Sequence, residues 1–374
     1  MGLYVISCDY LPDNPGHRFS DEYHNVSTTD RDGVLALART LDIDAIVTLS
    51  SDPAIPTVAY VAGELGLNGP SLDAVTVLSE KDKFRTLLSK LGFNVPKSYV
   101  VDSTVIPQEL MDSNLKVIVK PVDSSGSKGI TYSSISTPEL SNAIEYALDA
   151  SRAKRCIIEE YIDGDQIHGD GYMENGILIY HYLGDHFFYT KTSNFIPIST
   201  RWPCKYYGTE ILDVVIEQVE GICNASGYMK GPVNIEARVT PAGEVYIIEV
   251  SPRNGGNYVP IIQEHLTGFD FVSKIIYNSL GINTEVTDEP YVKKVGAHYI
   301  LHSETKGIYQ GLKISNRIRP HIFFRKVFMS RGDVVNEYVG SDTSIGVVLL
   351  EFDSISERDT LMSDVSELIQ VVIA

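Results

Sequence analysis

The stretch PVNIEARVTPAGEVYIIEVSPR, residues 232–253, constrains the chain more than any other. Two runs rich in apolar and β-branched residues flank a Thr-Pro-Ala-Gly turn, which is the pattern of an antiparallel hairpin. With the turn at Ala242-Gly243, Glu236 lies opposite Glu249 and Asn234 opposite Ser251. Both strands carry apolar residues on both faces, so the hairpin reads as buried. Like charges directly opposite each other destabilise a sheet. A buried carboxylate without a partner is costly or changes its protonation. A chain that keeps this pair must therefore compensate it. A divalent cation would do so, because Mg²⁺ takes oxygen ligands, commonly one or two carboxylates plus substrate phosphates. Arg253, two pleats beyond Glu249 on the same side, could neutralise the pair or reach an anionic ligand. The hairpin alone leaves a metal site and an Arg–Glu structural network both open.

A second stretch, VIVKPVDSSGSKGI, ends an apolar strand in Lys120, where the ladder stops before Pro121. The loop 123–129 holds two glycines, small or acidic residues and Lys128. Glycine lets a backbone approach closely, so such a loop can wrap phosphates, though a plain surface turn has the same composition. The Walker pattern GxxxxGK[ST] is absent from the sequence. Upstream, 78–92 reads as one helix, with Ser79 as its cap and Asp82 completing a capping-box-like pair. Lys83 then sits in the first turn, where the helix dipole disfavours a cation, which points to an anionic neighbour. In IIEEYI, Glu159 and Glu160 fall on opposite faces of a strand, so one faces a pocket. His181 and His186 have poor metal-ligand spacing and read as structural. Neither GxSxG nor HExxH occurs, so neither a serine hydrolase nor a zinc protease is supported.

At 374 residues the chain is too long for one core, and two or three units are expected. A net charge of −18 opposes phosphate backbones and argues against nucleic acid as a partner. The four cysteines form no CxxC pair, so neither a zinc site nor a disulfide framework is suggested, and a reducing cytoplasm is the natural setting. No apolar run is long enough to span a membrane, and the first residues do not read as a signal peptide. Residues 1–77 alternate strand and helix: LYVIS, DRDGVLALARTL, IDAIVTL, IPTVAYVAGELG. That is part of a doubly wound α/β sheet, opening without a Gly-rich first strand-turn-helix.

Taken in order, EKDKFRTLLSKLGFNVP, VIVKPVDSSGSKGI, IIEEYIDGDQ and NIEARVTPAGEVYIIEVSPRNGG resemble the ATP-grasp superfamily, closest to its carboxylate–amine ligase branch. That branch includes carbamoyl phosphate synthase large subunits, biotin carboxylase and purine-pathway ligases such as phosphoribosylglycinamide synthetase. The resemblance implies a mixed α/β and α+β fold: an N-terminal α/β domain at 1–77 lacking the usual first strand, an ATP-grasp domain at 78–285, and a small C-terminal α+β domain at 286–374. The ATP-grasp domain would divide into a small lobe to about 155 and a large lobe from about 156. It implies ATP and Mg²⁺, with Mn²⁺ as a substitute. Lys83 and Lys120 would contact the phosphates under a lid carrying Ser124, Ser125, Gly126 and Ser127. Glu159 would face the adenine amino group and the backbone of Ile162 the ring edge. Gln166 stands where the family usually has a ribose-binding Glu. Glu236 and Glu249 would hold the metal, with Ser251 where the family usually has Asn. Arg253, with Lys120, would stabilise the transferred phosphoryl group.

The implied reaction joins a small-molecule carboxylate to an amine through an acyl phosphate, releasing ADP and phosphate, in a cytoplasmic and dimeric enzyme. A kinase, a carboxylase subunit, or an ATP-binding protein without turnover remain alternatives. In KTSNFIPISTRWPCKYYG, residues 191–208, Arg201 is the candidate for a substrate carboxylate; packing on Trp202 is the alternative.

Overall fold

The computed structural model describes residues 2–111, 113, 115–135, 138–189, 195–283 and 293–374. At the N-terminus, β1 (Ile6–Cys8) and β2 (Glu22–His24) pair in parallel. Helices α1 (Arg31–Leu41) and α2 (Ile55–Leu65) pack together through Val34, Leu35, Ala38 and Val61. Asp30 starts α1 by accepting from the Gly33 N–H, the usual use of a short acidic side chain at an N-cap. The segment IDAIVTL, expected as a strand, forms none. This sheet ends at two strands, which leaves the segment no ladder, and Val47 and Leu49 stay exposed.

The helix expected over 78–92 is two helices, α3 (Leu72–Ser79) and α4 (Lys81–Lys90). Glu80 adopts an extended conformation (φ −93°, ψ 115°) and serves as the end of one and the start of the other. Ser79 is therefore not a cap; Ser71 is, through the Ala74 N–H. Lys81 becomes the first residue of α4, and its N–H donates to the Val122 carbonyl at 3.0 Å.

Strands β3 (Ser98–Val101), β4 (Lys116–Pro121), β5 (Thr131–Ser134) and β6 (Cys156–Glu160) form an antiparallel sheet in the order β3-β6-β4-β5. A short helix, α5 (Gln108–Met111), and α6 (Pro138–Ala150) cover it, burying Leu110, Val119, Leu140, Ile144 and Ile158.

The largest sheet has eight strands. They are β7 (Asp165–Glu174), β8 (Ile177–Phe188), β9 (Pro197–Trp202), β10 (Gly231–Val239), β11 (Val245–Ser251), β12 (Val295–Leu301), and two more, β14 (Ile322–Val327) and β16 (Gly346–Phe352), in the order β11-β10-β7-β8-β9-β12-β16-β14. Side chains alternate between its faces. One face buries Ile235, Ala237 and Ile247 against α3, α4 and α7 (Glu210–Ser226), through Leu88, Val215, Val219 and Ile222. Gly227, in the left-handed conformation, ends α7. On the other face, α8 (Val259–Thr267) and α9 (Phe271–Ser279) cover Tyr172, Tyr180 and Tyr182. Helix α8 had no counterpart in the sequence reading. The rest of that second face carries the polar side chains of the next section.

The boundary expected at 285/286 falls outside the described residues. The strands after it do not begin a separate sheet: β12 pairs with β9, so β12, β16 and β14 continue the eight-stranded sheet. Among the described residues after 292, a three-stranded sheet of β13 (Gly307–Ile314), β15 (Val334–Val335) and β17 (Ile369–Ile373) is distinct; α11 (Val365–Leu368) packs on β17, and α10 (Ile355–Ser363) on β12 and β16.

Leu88 has no exposed surface and sits where α4 meets the hairpin's apolar face. Leu88→Ala is expected to cost about 2–5 kcal/mol of stability, by lost burial plus the cavity left behind, measured by urea unfolding.

Candidate active site

The hairpin pairs Glu236 with Glu249 and Asn234 with Ser251. The turn is not the one assumed, however: it closes Thr240 to Glu244 and pairs Val239 with Val245. A β-bulge between that end and Glu236 absorbs one residue of β11, Ile248, and restores the acidic pairing. The Ile248 carbonyl accepts from Arg85 Nη1 at 2.9 Å.

Both carboxylates line a cavity of about 350 Å³ between the four-stranded and eight-stranded sheets. Burial, then the neighbouring Glu249, pushes Glu236 up to about 7. Burial also acts on Glu249, but Lys81, then Arg253, then the Ser251 hydroxyl outweigh it and hold that carboxyl below its usual range. Glu236 is thus brought into the neutral range while Glu249 stays ionised. Ser251 does not line the cavity; its hydroxyl donates to Glu249 Oε1 at 2.6 Å and orients it. Two carboxylates facing the same cavity suit Mg²⁺ completed by phosphate oxygens. Among the described residues no cluster of three or more His, Cys, Asp or Glu could hold a metal by itself.

The cations around the cavity differ from those expected. Lys83 is outside it, 46% exposed and paired with Glu80 at 3.0 Å. Because α4 starts at Lys81, it is Lys81 that lines the cavity. Lys81 Nζ donates to the Ser124 carbonyl at 3.2 Å and has no acidic partner among the described residues. Lys120 does line the cavity, and Nζ donates to Glu159 Oε2 at 2.8 Å. Arg85, unforeseen, binds the same carboxylate through Nε at 2.6 Å and Nη2 at 3.3 Å. The carboxylate expected at an adenine amino group is thus the centre of a buried triad. Burial raises Glu159, but Arg85 and then Lys120 pull it far below the usual carboxylate range. Burial lowers Lys120 more than Glu159 raises it.

Arg253 lies on the same side as Glu249, as expected, with Nη2 3.9 Å from Oε1. Its main partner was not foreseen. Asp52, from the N-terminal unit, takes Nε at 2.7 Å and Nη2 at 2.8 Å. Nη1 donates to the Asn254 carbonyl. A guanidinium has five N–H donors, so two remain for a ligand. Ser50 backs this contact, donating to the Gly255 carbonyl at 2.6 Å and accepting from Asn254 Nδ2.

The lid loop is anchored at its base. Asp123 accepts from the Ser151 hydroxyl and from the Arg152 and Ala153 N–H groups. Gly129, at φ +76°, admits no side chain, because a Cβ would meet Pro121 and Ala150 at 2.6 and 2.7 Å. Ser124, Ser125, Gly126 and Ser127 line the cavity, while Lys128 points away to Asp342 at 4.0 Å. Ser127 donates to the Phe195 carbonyl, and Ser341 to that of Gly126.

Glu160, Tyr161 and Ile162 also line the cavity, and the Ile162 N–H has no hydrogen-bond partner among the described residues. Gln166 spans Arg238 and Glu236: Oε1 accepts from Arg238 Nε and Nε2 donates to Glu236 Oε2 at 3.0 Å. Arg238, also unforeseen, donates to the Ile162 carbonyl at 2.8 Å and lies over the Tyr161 ring. Four non-glycine residues of the lining, Ser50, Ser127, Phe195 and Asn257, have left-handed φ. Such backbone is costly and concentrates at ligand sites.

His186, read as structural, lines the cavity with His168 and His298. Arg201 does not: it lies over the Phe187 ring and donates to the Met362 carbonyl. Lys191–Asn194, in the same stretch, lie outside the described residues.

Residues 113–261 match the family model of the ATP-grasp domain. The carbamoyl phosphate synthase large chain of Caldanaerobacter subterraneus is 26% identical over 227 residues, 60% of this chain and 20% of that protein. The phosphoribosylamine–glycine ligase of Methanocella arvoryzae is 27% identical over 161 residues, 41% of this chain and 36% of that one. The chain thus spans about one fifth of the length of the carbamoyl phosphate synthase chains it matches. The L-amino acid ligase from Bacillus licheniformis superposes with a TM-score of 0.85 at 21% identity, covering 100% of this chain and 93% of that one. Phosphoribosylglycinamide synthetase from Anaerococcus prevotii follows with 0.77 at 20% identity, covering 100% and 94%. The fold is the ATP-grasp fold.

Two outcomes test this geometry. Lys81→Met is expected to weaken ATP binding tenfold or more, and Lys83→Met less than about twofold, by calorimetric titration with Mg-ATP. Glu159→Gln, which leaves two buried cations without a counter-charge, is expected to cost about 3–5 kcal/mol at neutral pH. The folded carboxyl is depressed, so its contribution is full above the ordinary value of 4.5 and is lost as pH falls below it. The stability gap between the two proteins, from urea unfolding across pH, should therefore close on acidification.

Proposed function

For this chain of the ATP-grasp superfamily, in its carboxylate–amine ligase branch, we propose an ATP-dependent ligase that activates a small-molecule carboxylate as an acyl phosphate and passes the acyl group to an amine. One observation carries the reading: the Glu236/Glu249 pair faces a cavity into which Lys81, Lys120 and Arg253 also point. Lys81 has no acidic partner among the described residues and Arg253 keeps two unused donors, and a metal-bound nucleotide accounts for these groups together with the facing acids.

Lys81 and Lys120 meet phosphate oxygens, and the Ser124–Ser127 loop lies over them with hydroxyl and N–H donors. The Ile162 N–H and the side chains of Tyr161 and Ile118 take the adenine. Gln166 takes the ribose in this reading; its amide is held by Arg238 and Glu236. Glu236 and Glu249 would hold Mg²⁺, which when bound neutralises phosphate charge and orients the transferred group. The substrate carboxylate attacks the γ-phosphorus, the bond to the β,γ-bridging oxygen breaks, and ADP leaves. The two free donors of Arg253 stabilise the negative charge on the phosphoryl oxygens. The amine then attacks the acyl carbon, phosphate departs with its oxygen, and the amine loses a proton. These residues position groups and neutralise charge and form no covalent bond to substrate. The lid excludes water, which would otherwise hydrolyse the acyl phosphate.

Purified protein with Mg-ATP is expected to release ADP and phosphate only when a carboxylate pool and an amine pool are both present. Glu249→Gln and excess EDTA should each lower the rate at least about a hundredfold, as loss of transition-state charge stabilisation does. ADP release with carboxylates alone, undiminished in a nucleophile-free mixture, would instead mark a kinase.

A further inference from the structure

The second face of the large sheet carries one polar stripe across six strands. Strand register places Glu249, Glu236 and His168 directly opposite one another on β11, β10 and β7. The residue opposite His168 on β8 is Gly184, and the stripe resumes two residues on, at His186. His186 faces Thr200 on β9, and Thr200 faces His298 on β12. Charge therefore lies at one end of the stripe and imidazole at the other.

Gly184 makes the crossing feasible. A Cβ there would stand 2.8 Å from the Thr200 methyl and 2.7 Å from the Arg201 carbonyl. Thr200 fills the gap, with its hydroxyl 2.8 Å from His186 Nδ1 and 3.5 Å from His168 Nδ1. On the far side, Asp170 Oδ1, which also accepts from the Gly255 N–H, fixes which end of the Asn234 amide is nitrogen. That nitrogen lies 3.0 Å from His168 Nε2. Donor order then follows along the chain of contacts. Asn234 donates to His168 Nε2, so His168 carries its proton on Nδ1, toward Thr200. Thr200 donates to His186 Nδ1, so His186 carries its proton on Nε2, which has no partner among the described residues.

His298 is 1% exposed, and its Nδ1 is buried with no hydrogen-bond partner among the described residues. It nevertheless lines the cavity, as do Phe188, Pro197, Val259 and Tyr338 around it. The Tyr338 hydroxyl is committed to the Pro197 carbonyl at 2.7 Å. These residues carry no carboxylate; Arg238 is the cation that acts on His186, which burial first and then its neighbours hold well below the usual imidazole range, and burial lowers His298 to about 3. A buried polar ring without a partner is costly unless a ligand supplies one.

We propose that the His186–His298 end of the cavity is the specificity subsite for the substrate group distal from the reacting centre, and that it takes an uncharged group that both donates and accepts hydrogen bonds, such as a phenol, an imidazole or a carboxamide. The inference rests on the ligase reading for which molecule reacts, but not for what binds. Ammonium, guanidinium and carboxylate tails would be desolvated there without a counter-charge, and a site built to hydrogen-bond also rejects a purely apolar isostere.

L-Amino acids serve as probes, since each carries a carboxylate and an amine. With the full chain and Mg-ATP, L-tyrosine, L-histidine and L-glutamine should support ADP release, and L-glutamate, L-aspartate, L-lysine and L-arginine should not. His298→Leu is expected to raise KM for the first group about tenfold or more, leaving KM for ATP and kcat within about threefold. His298→Gln, which keeps a donor and an acceptor, should recover most of that loss. His186→Phe, which keeps a ring but removes Nε2–H, repeats the test should the leucine variant unfold. Turnover that favours charged side chains, or a KM indifferent to His298→Leu and His186→Phe, would overturn the proposal. Should no amino acid release ADP, the ligase reading fails separately, and calorimetry on the Mg-ADP complex decides the subsite. Binding of L-tyrosine, L-histidine or L-glutamine that falls in His298→Leu upholds it; equal binding of charged amino acids, or none of any, removes it.

Discussion

Two carboxylates facing each other across a buried hairpin set the terms for everything around them. Glu236 and Glu249 cannot both ionise in a sheet unless positive charge is brought to them. Three separate parts of the chain bring it: Lys81 from the start of α4, Lys120 from the end of β4, and Arg253 from the end of β11. None of these cations is simply placed. Lys81 is held by the break at Glu80 and by its own N–H on Val122. Lys120 is aimed by Glu159, which Arg85 fixes from the other side. Arg253 is clamped by Asp52 from a unit two hundred residues earlier. The cavity is thus the place where the N-terminal unit, the small sheet and the large sheet must agree, because each supplies part of one charge balance.

The hairpin's chemistry was legible in the sequence for a reason that survives a wrong detail. The turn at Ala242-Gly243 is one residue off, yet the acids still oppose, because the bulge at Ile248 returns the register. Ile235 and Ala237 flank Glu236, and Ile247 and Val250 flank the Ile248–Glu249 pair, so burying these four on one face turns both acids to the other once the bulge takes up the extra residue. Lys83 was misplaced because nothing in LSEKDKF marks a helix break: Glu80 is a good helix former, and only the tertiary bond from Lys81 to Val122 stops α3 there. Arg85, Asp52 and Arg238 were missed for a different reason. Their partners lie far away in sequence, and no local pattern distinguishes a charged residue that will be buried from one that will be solvated. The histidines illustrate the limit most clearly. They are scattered in sequence, and they meet only because β7, β8, β9 and β12 are neighbours in the sheet.

That strand order also explains why the C-terminal third cannot be treated as an appendage. Its strand β12 joins the large sheet beside β9 and carries His298 into the cavity. Its loop at 341–343 touches the lid through Ser341 on the Gly126 carbonyl, and Asp342 draws off Lys128. A loop of small residues has little to hold it over a ligand by its own packing. Contacts from Phe195 and Ser341 to its two central carbonyl and hydroxyl groups give the covered position a definite geometry, at a low enough cost that the lid can still open.

The gradient along the polar stripe follows from the same electrostatics. A site that gathers cations and carboxylates cannot extend them indefinitely into a buried sheet, because each further charge needs its own partner. Imidazoles held neutral by burial continue a hydrogen-bonding surface without continuing the charge. The Asn234–His168–Thr200–His186 series does this by passing a donor direction from one strand to the next, with the Asn234 amide anchored by its second N–H on Asp170 Oδ1. On the proposed reading the charged end takes phosphate and metal, and the neutral end a ligand group that is polar but uncharged. A single row of residues, ordered only by strand register, would then distinguish the two ends of a bound substrate.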